Sequence, residues 1–317
     1  MGILMDHIGH VYDVGIIGAG PAGLTATIYC LRDNKNVILF DKKDDYGGQI
    51  INSVHVNNIP GFSSISGVDF IQNMMDQISE VPDKNISALI DVEIIDVRQA
   101  GNQLYEIIDR GENSYFAKSV IIATGSEYRT LGVEGEKELV GSGISFCTTC
   151  DGPFCKDKSV VVIGGGNSAL TETLELTKFA KSITILQNLP YLTAEESLCE
   201  KVKQDEKIHI LYNIKVERFS KAGTQINIST TTTDANSNAT DLNILCDKVF
   251  MAIGMKANNE FAKNVTALTK DGYIYCSTKP DVYIAGDCLE KDVKQVATAC
   301  GDGARAAVLA CRGLNNK

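Results

Sequence analysis

The stretch Val11-Tyr12-Asp13-Val14-Gly15-Ile16-Ile17-Gly18-Ala19-Gly20-Pro21-Ala22-Gly23 decides the fold. Its first seven residues form an apolar, β-branched run of strand length that stops at a glycine-rich turn. Leu24 to Leu31 continues as a helix, and the next apolar run, Asn36 to Phe40, ends in Asp41, 23 residues beyond Gly18. Strand, turn, helix, strand and terminal acid together specify a dinucleotide site. Gly18 makes the tight turn, Gly20 lets backbone approach a pyrophosphate, Gly23 lets helix pack on strand, and Asp41 can accept from a ribose hydroxyl.

The pattern returns further on. Ser159 to Ile163 reads as a strand, Gly164-Gly165-Gly166-Asn167-Ser168-Ala169 as a second Gly-rich turn, Leu170 to Ala180 as a helix, and Ser182 to Leu186 as the following strand. This strand leads into Gln187-Asn188-Leu189, with neither the acid that reads a ribose nor an Arg that would hold a 2′-phosphate. The second unit therefore has the fold of a nucleotide site without its reader, and its glycines are expected to serve helix–strand packing.

Length and composition set the frame. A chain of 317 residues suggests two domains, each able to bury a core without metal or disulfide staples. With 44% hydrophobic and 22% charged residues it is an ordinary globular composition. A net charge of −10 repels phosphate backbones and anionic lipid, which argues against nucleic-acid and membrane partners. Met1 to Tyr12 lacks the Lys or Arg and the apolar run of a signal peptide, and no segment offers a membrane span, so a cytoplasmic location is expected.

Of ten cysteines, eight are scattered singly and read as small buried hydrophobes. Cys147-Thr148-Thr149-Cys150 differs: a lone C-x-x-C lacks half the ligands of a structural zinc site, so no metal is expected and redox chemistry is the leading explanation. Between the two units, Ile121 to Gly125 reads as a buried strand ending in a turn. Ile208 to Ile228 is strand-rich, and the polar tract Ser229 to Asn243 reads as a loop at a hairpin tip. Val282 to Asp287 is a further strand, and Gln295 to Cys311 an Ala-rich helix.

Taken together, the two Gly-rich turns, Gly47-Gly48-Gln49, Asn58-Ile59-Pro60-Gly61, Ala123-Thr124-Gly125, Cys147-Thr148-Thr149-Cys150-Asp151-Gly152 and Ala285-Gly286-Asp287 resemble the low-molecular-weight flavin thioredoxin reductases in order and spacing, over nearly the whole chain. The resemblance implies an α/β fold of two Rossmann-like, three-layer ββα domains. An FAD domain (1–123 and 251–317) would be interrupted by a central pyridine-nucleotide-type domain (124–250) carrying the C-x-x-C. It further implies that Gly18, Gly20, Pro21, Ala22, Gly23 and Asp41 hold the ADP half of FAD, and that Gly48, Gln49 and Asn58 lie by the isoalloxazine. Ala123, Thr124 and Gly125 would line the cofactor, and Gly286 and Asp287 would reach the ribityl chain. Lys294-Gln295-Val296 stands where the family has Arg-Gln-Ala at the flavin. Cys150 would face the flavin, Cys147 would exchange with an external disulfide, and Asp151 would be the candidate acid. Thioredoxin as substrate and a homodimer are implied by the same likeness.

One departure redirects the expectation. NADPH-using members carry His-Arg-Arg and a further Arg where this chain has Gln187, Asn188, Leu189 and Thr193. The sequence thus looks most like the ferredoxin-dependent flavin thioredoxin reductases. A dithiol oxidase passing electrons to oxygen, a NAD(P)H-linked reductase with altered contacts and a non-enzymatic flavin module are the alternatives.

Overall fold

The computed structural model describes residues 10–53, 56–233 and 239–316. The chain divides into two compact units, residues 1–127 with 256–317 and residues 128–255. The expected boundaries at 123/124 and 250/251 move by a few residues, for reasons visible in the hydrogen bonds. Thr124 Oγ1 donates to Asn259 Oδ1 at 2.7 Å, and the Ser126 carbonyl accepts from Gln49, which ties 124–127 to the first unit. Ala252 N donates to Ile163 O at 2.9 Å and Gly254 O accepts from Arg129 N at 3.0 Å, which ties 252–255 to the second.

In the first unit the opening run forms the strand Val11–Ile17, at the centre of a seven-stranded sheet. It pairs in parallel with Val37–Phe40 on one side and Ser114–Ile122 on the other. The long strand Ser114–Ile122 divides its remaining edge: its first half pairs antiparallel with Leu104–Asp109, and its last residues pair in parallel with Val282–Ile284. Alternate residues feed two cores. Val14, Ile16, Val37 and Leu39 pack under the helices Pro21–Arg32 and Val296–Asn315, whereas Ile17, Ile38 and Phe40 pack with Tyr105 and Ile107. Burial on both faces is why Val37–Phe40 reads as a continuous apolar run.

The second unit repeats the plan with a five-stranded, all-parallel sheet in the order Ile208–Leu211, Ser182–Leu186, Ser159–Ile163, Lys248–Met251, Ile144–Ser145. The helix Asn167–Leu176 follows the second Gly-rich turn and ends earlier than the expected Ala180. A three-stranded antiparallel sheet, Ile214–Ala222, Gln225–Thr233 and Ala239–Cys246, completes the unit. The polar tract Ser229 to Asn243 is thus a correction, because most of it is strand. Thr230 to Thr232 are β-branched and pair with Leu242, Asp241 and Thr240, so β-propensity outweighs polarity. Residues 234–238, within the expected loop, lie outside the described residues.

Candidate active site

The first Gly-rich turn is built by sterics that differ from glycine to glycine. Gly18 has φ +108°, and a methyl group on it would run into the Ala123 carbonyl; one on Gly23 would run into the Gly18 carbonyl. Gly20 is different: a methyl group there would meet only Gly47 O, at 3.9 Å. Its lack of a side chain leaves room beside the turn, which is what a pyrophosphate needs. Pro21 occupies the first turn of the helix, where its missing N–H costs nothing. Gly47 N donates to Ala19 O at 2.9 Å, Gly48 approaches Gly20 from the same side, and Gly286, at φ +80°, packs against Ala22. Asp41 accepts from Ala19 N (Oδ2, 2.6 Å) and Lys43 N (Oδ1, 2.9 Å), so it braces the turn with lone pairs to spare for a ribose.

The remaining expected cofactor residues also belong to this unit. Ala123 N donates to Ile17 O at 2.7 Å, and Thr124 and Gly125 complete that turn, Gly125 at φ +69°. Gln49 Nε2 donates to the Ser126 carbonyl, and Asn58 Nδ2 to Gln295 Oε1 at 3.0 Å. Gln295 caps the helix Val296–Asn315 reciprocally with Thr298, so the helix starts at Val296 and runs past the expected Cys311. Lys294 Nζ sits 3.9 Å above the Tyr273 ring, a cation–π contact that holds the ammonium, and burial pulls its pKa down.

Asp287 carries the clearest mark of a missing partner. Its Oδ1 is buried without a hydrogen-bond donor, although Lys291 Nζ stands within ion-pair reach at 3.4 Å and also binds Asp302 at 2.7 Å. Burial raises the Asp287 pKa against the pull of Lys291. A hydroxyl-bearing ligand donating to Oδ1 would satisfy it. The open Gly20 and the buried Asp287 oxygen suit the two parts of FAD assigned to them.

In the second unit Cys147 and Cys150 form a disulfide at the start of the short helix Thr148–Asp151. The Cys150 N–H points at Cys147 Sγ, 3.1 Å away. Asp151 Oδ2 is ion-paired with Lys248 Nζ at 3.0 Å, a partner that sequence reasoning missed. A second residue missed is Glu172, on the helix Asn167–Leu176, whose Oε2 accepts from Thr148 Oγ1 at 3.0 Å. Burial raises its pKa from near 4.5 to about 7, only partly offset by the Thr148 hydroxyl. Neither residue follows a spacing that a motif could reveal; both are brought to the C-x-x-C by the fold.

The residues replacing the cationic clamp turn back on the second Gly-rich loop. Gln187 is buried and lies over Gly165, where a methyl group would sit 2.7 Å from the Gln187 Cδ. Its amide is engaged at both ends, Nε2 donating to Tyr191 O at 2.9 Å and Oε1 accepting from Asn188 N at 3.1 Å. Thr193 N donates to Gly165 O at 2.8 Å. Among the described residues no group of His, Cys, Asp and Glu could hold a metal, and no helix is long and apolar enough to cross a membrane.

A dinucleotide turn with room for a pyrophosphate and a C-x-x-C disulfide on a second nucleotide-type fold define a flavoprotein disulfide oxidoreductase that uses FAD. The chain belongs to the pyridine nucleotide-disulphide oxidoreductase family, whose model matches residues 12–303, and within it to the low-molecular-weight flavin thioredoxin reductases. It is 37% identical over 306 residues to the thioredoxin reductase of Bacillus subtilis (strain 168), covering 94% of this chain and 93% of that protein. It is 33% identical over 298 residues to the thioredoxin reductase of Listeria monocytogenes serovar 1/2a, covering 92% and 91%. The crystal structure of thioredoxin reductase from Streptococcus pyogenes MGAS5005 superposes with a TM-score of 0.88 at 30% identity, covering 97% of this chain and 99% of that one.

Proposed function

We propose that this chain is a thioredoxin reductase filled by reduced ferredoxin rather than by NADPH. The observation that supports the choice of donor is Gln187, whose side chain covers Gly165 with its own hydrogen bonds satisfied, where a 2′-phosphate would need cations. On this reading residues 1–127 with 256–317 hold FAD, and 128–255 carry the dithiol. The homodimer and the cytoplasmic location implied at the outset belong to the same proposal.

FAD, which Gly18, Gly20, Asp41 and Asp287 would hold, would accept electrons singly or in pairs and supply a pair for the disulfide. Two electrons and two protons convert the Cys147–Cys150 bond into two thiols. The Cys150 N–H then favours ionisation of Cys147 by hydrogen-bonding its sulfur. The Cys147 thiolate attacks one sulfur of the thioredoxin disulfide and expels the other as a thiolate. Cys150, as its thiolate, attacks Cys147 in the mixed disulfide, which frees reduced thioredoxin and restores the Cys147–Cys150 bond. Glu172 holds or releases a proton beside Thr148 near neutral pH, and Lys248 fixes the Asp151 carboxylate.

A nicotinamide donor is the second reading, and two observations favour it: the family description itself, and the space at Gly166, where a methyl group would meet only Thr193 Oγ1 at 3.6 Å. Anaerobic titration of the flavin absorbance separates the two. Reduced ferredoxin should bleach it, whereas NADPH and NADH should do so slowly or not at all. Rapid stoichiometric bleaching by micromolar NADPH would establish the second reading.

A further inference from the structure

Cys30 and Cys311 take no part in the chemistry described so far, yet their sulfurs lie 3.9 Å apart. They sit on the helices Pro21–Arg32 and Val296–Asn315, which pack so closely that a methyl group on Gly303 would run into the Ala22 carbonyl. Eight residues further along each helix, a little over two turns, the same faces meet again at Cys30 and Cys311. Beyond the cysteines the helix ends are latched together. Asn315 Nδ2 donates to Asp33 Oδ2 at 3.2 Å, and Lys35 Nζ donates to Asn315 Oδ1 at 2.5 Å. The two sulfurs are thus held in register from both sides.

The pair is also chemically unequal. Cys30 has no exposed surface, while Cys311 retains 5% and lies one turn from the end of its helix. Their mutual contact, together with burial, pushes the Cys30 thiol well up, and the same contact pulls the Cys311 thiol down against its own burial. Cys311, which keeps some exposed surface, is therefore the sulfur nearer to an oxidant.

We propose that Cys30 and Cys311 are a second redox-active thiol pair, converted by hydroperoxides into a disulfide that staples the C-terminal helix to the helix of the first Gly-rich turn. The Cys311 thiolate attacks the terminal peroxide oxygen, the O–O bond breaks, and the departing alkoxide or hydroxide takes a proton from solvent, leaving Cys311 as a sulfenic acid. The Cys30 sulfur then attacks the Cys311 sulfur; the S–O bond breaks and the oxygen leaves as water with the Cys30 proton. Two thiols have lost two electrons and one peroxide has gained them. The sulfurs close from 3.9 Å to about 2.05 Å. The bond joins residues 281 positions apart, so it ties the two chain ends of this unit.

The test uses the full-length holoenzyme, reduced, desalted and exposed to hydrogen peroxide, then unfolded in iodoacetamide and mapped without reductant. The expected result is a Cys30–Cys311 linked peptide, with both residues losing alkylation and regaining it after dithiothreitol. In Cys30→Ala the reaction should stop at Cys311, where dimedone traps the sulfenic acid. Full alkylation of both residues under conditions that re-form the Cys147–Cys150 disulfide would overturn the proposal. So would a link from Cys30 to any other cysteine, or over-oxidation of Cys311 while Cys30 stays alkylated.

Discussion

Gln187 lies across Gly165 so closely that a methyl group on the glycine would meet the Gln187 Cδ at 2.7 Å. Where the family resemblance implies a cationic clamp, the region is closed here by an amide bonded to Tyr191 and Asn188. Restoring the cations should therefore create a nucleotide site. A variant carrying Gln187→His, Asn188→Arg, Leu189→Arg and Thr193→Arg should bind NADPH roughly 10- to 100-fold more tightly than the parent, from charge-assisted contacts of about 1.5–3 kcal/mol each less ordering costs. Calorimetric titration that found no gain in affinity would show that Gln187 is not what excludes the nucleotide.

The two cysteines of the C-x-x-C should fail differently. Cys150→Ser should accumulate a mixed disulfide with thioredoxin through Cys147, because the resolving thiol is gone. Cys147→Ser should abolish thioredoxin reduction and leave flavin reduction intact. Peptide mapping checks the assignment, and a trapped link at one of the other cysteines would refute it.

Glu172 should make stability depend on pH. Its pKa is raised by burial to about 7, so the folded chain holds the proton more tightly than the unfolded one. The associated stability is fully present below about pH 4.5 and is lost as pH rises through about 7. Glu172→Gln should remove that loss, gaining up to roughly 3 kcal/mol at pH 8 relative to the parent and little at pH 4.5. Denaturant melts at the two pH values measure it. An equal effect at both would show that the carboxyl does not titrate there.

Glycines of one motif should separate into two behaviours. Gly23→Ala drives a methyl group into the Gly18 carbonyl and should cost about 3 kcal/mol, with loss of folded protein. Gly20→Ala has open space and φ −78°, so apo-protein stability should change by less than about 0.5 kcal/mol while FAD affinity falls. Melting curves with and without FAD distinguish the cases, and equal destabilisation of both apo-proteins would contradict the reading of Gly20.

Those contrasts also show what the sequence could and could not reveal. The strands Val11–Ile17, Ser159–Ile163 and Ser182–Leu186 were legible because burial makes them rich in apolar, β-branched residues, and the C-x-x-C because its spacing is local. The tract Ser229 to Asn243 misled, since polar threonines there are paired in strands. Glu172 and Lys248 were invisible: each gains its meaning from a partner, Thr148 or Asp151, far away in the chain. The absence of the clamp was legible residue by residue, whereas the turning of Gln187 and Thr193 back onto Gly165 is set by the fold and leaves no mark in the sequence.

The most direct test of the central claim follows free thiols on oxidised thioredoxin under anaerobic turnover, with reduced ferredoxin and NADPH supplied in parallel. The account predicts steady thiol formation with ferredoxin, none in Cys147→Ser, and at most a trace with NADPH. Thiol formation driven by NADPH and not by ferredoxin would contradict it, as would oxygen consumption driven by small dithiols with no thioredoxin reduction from either donor.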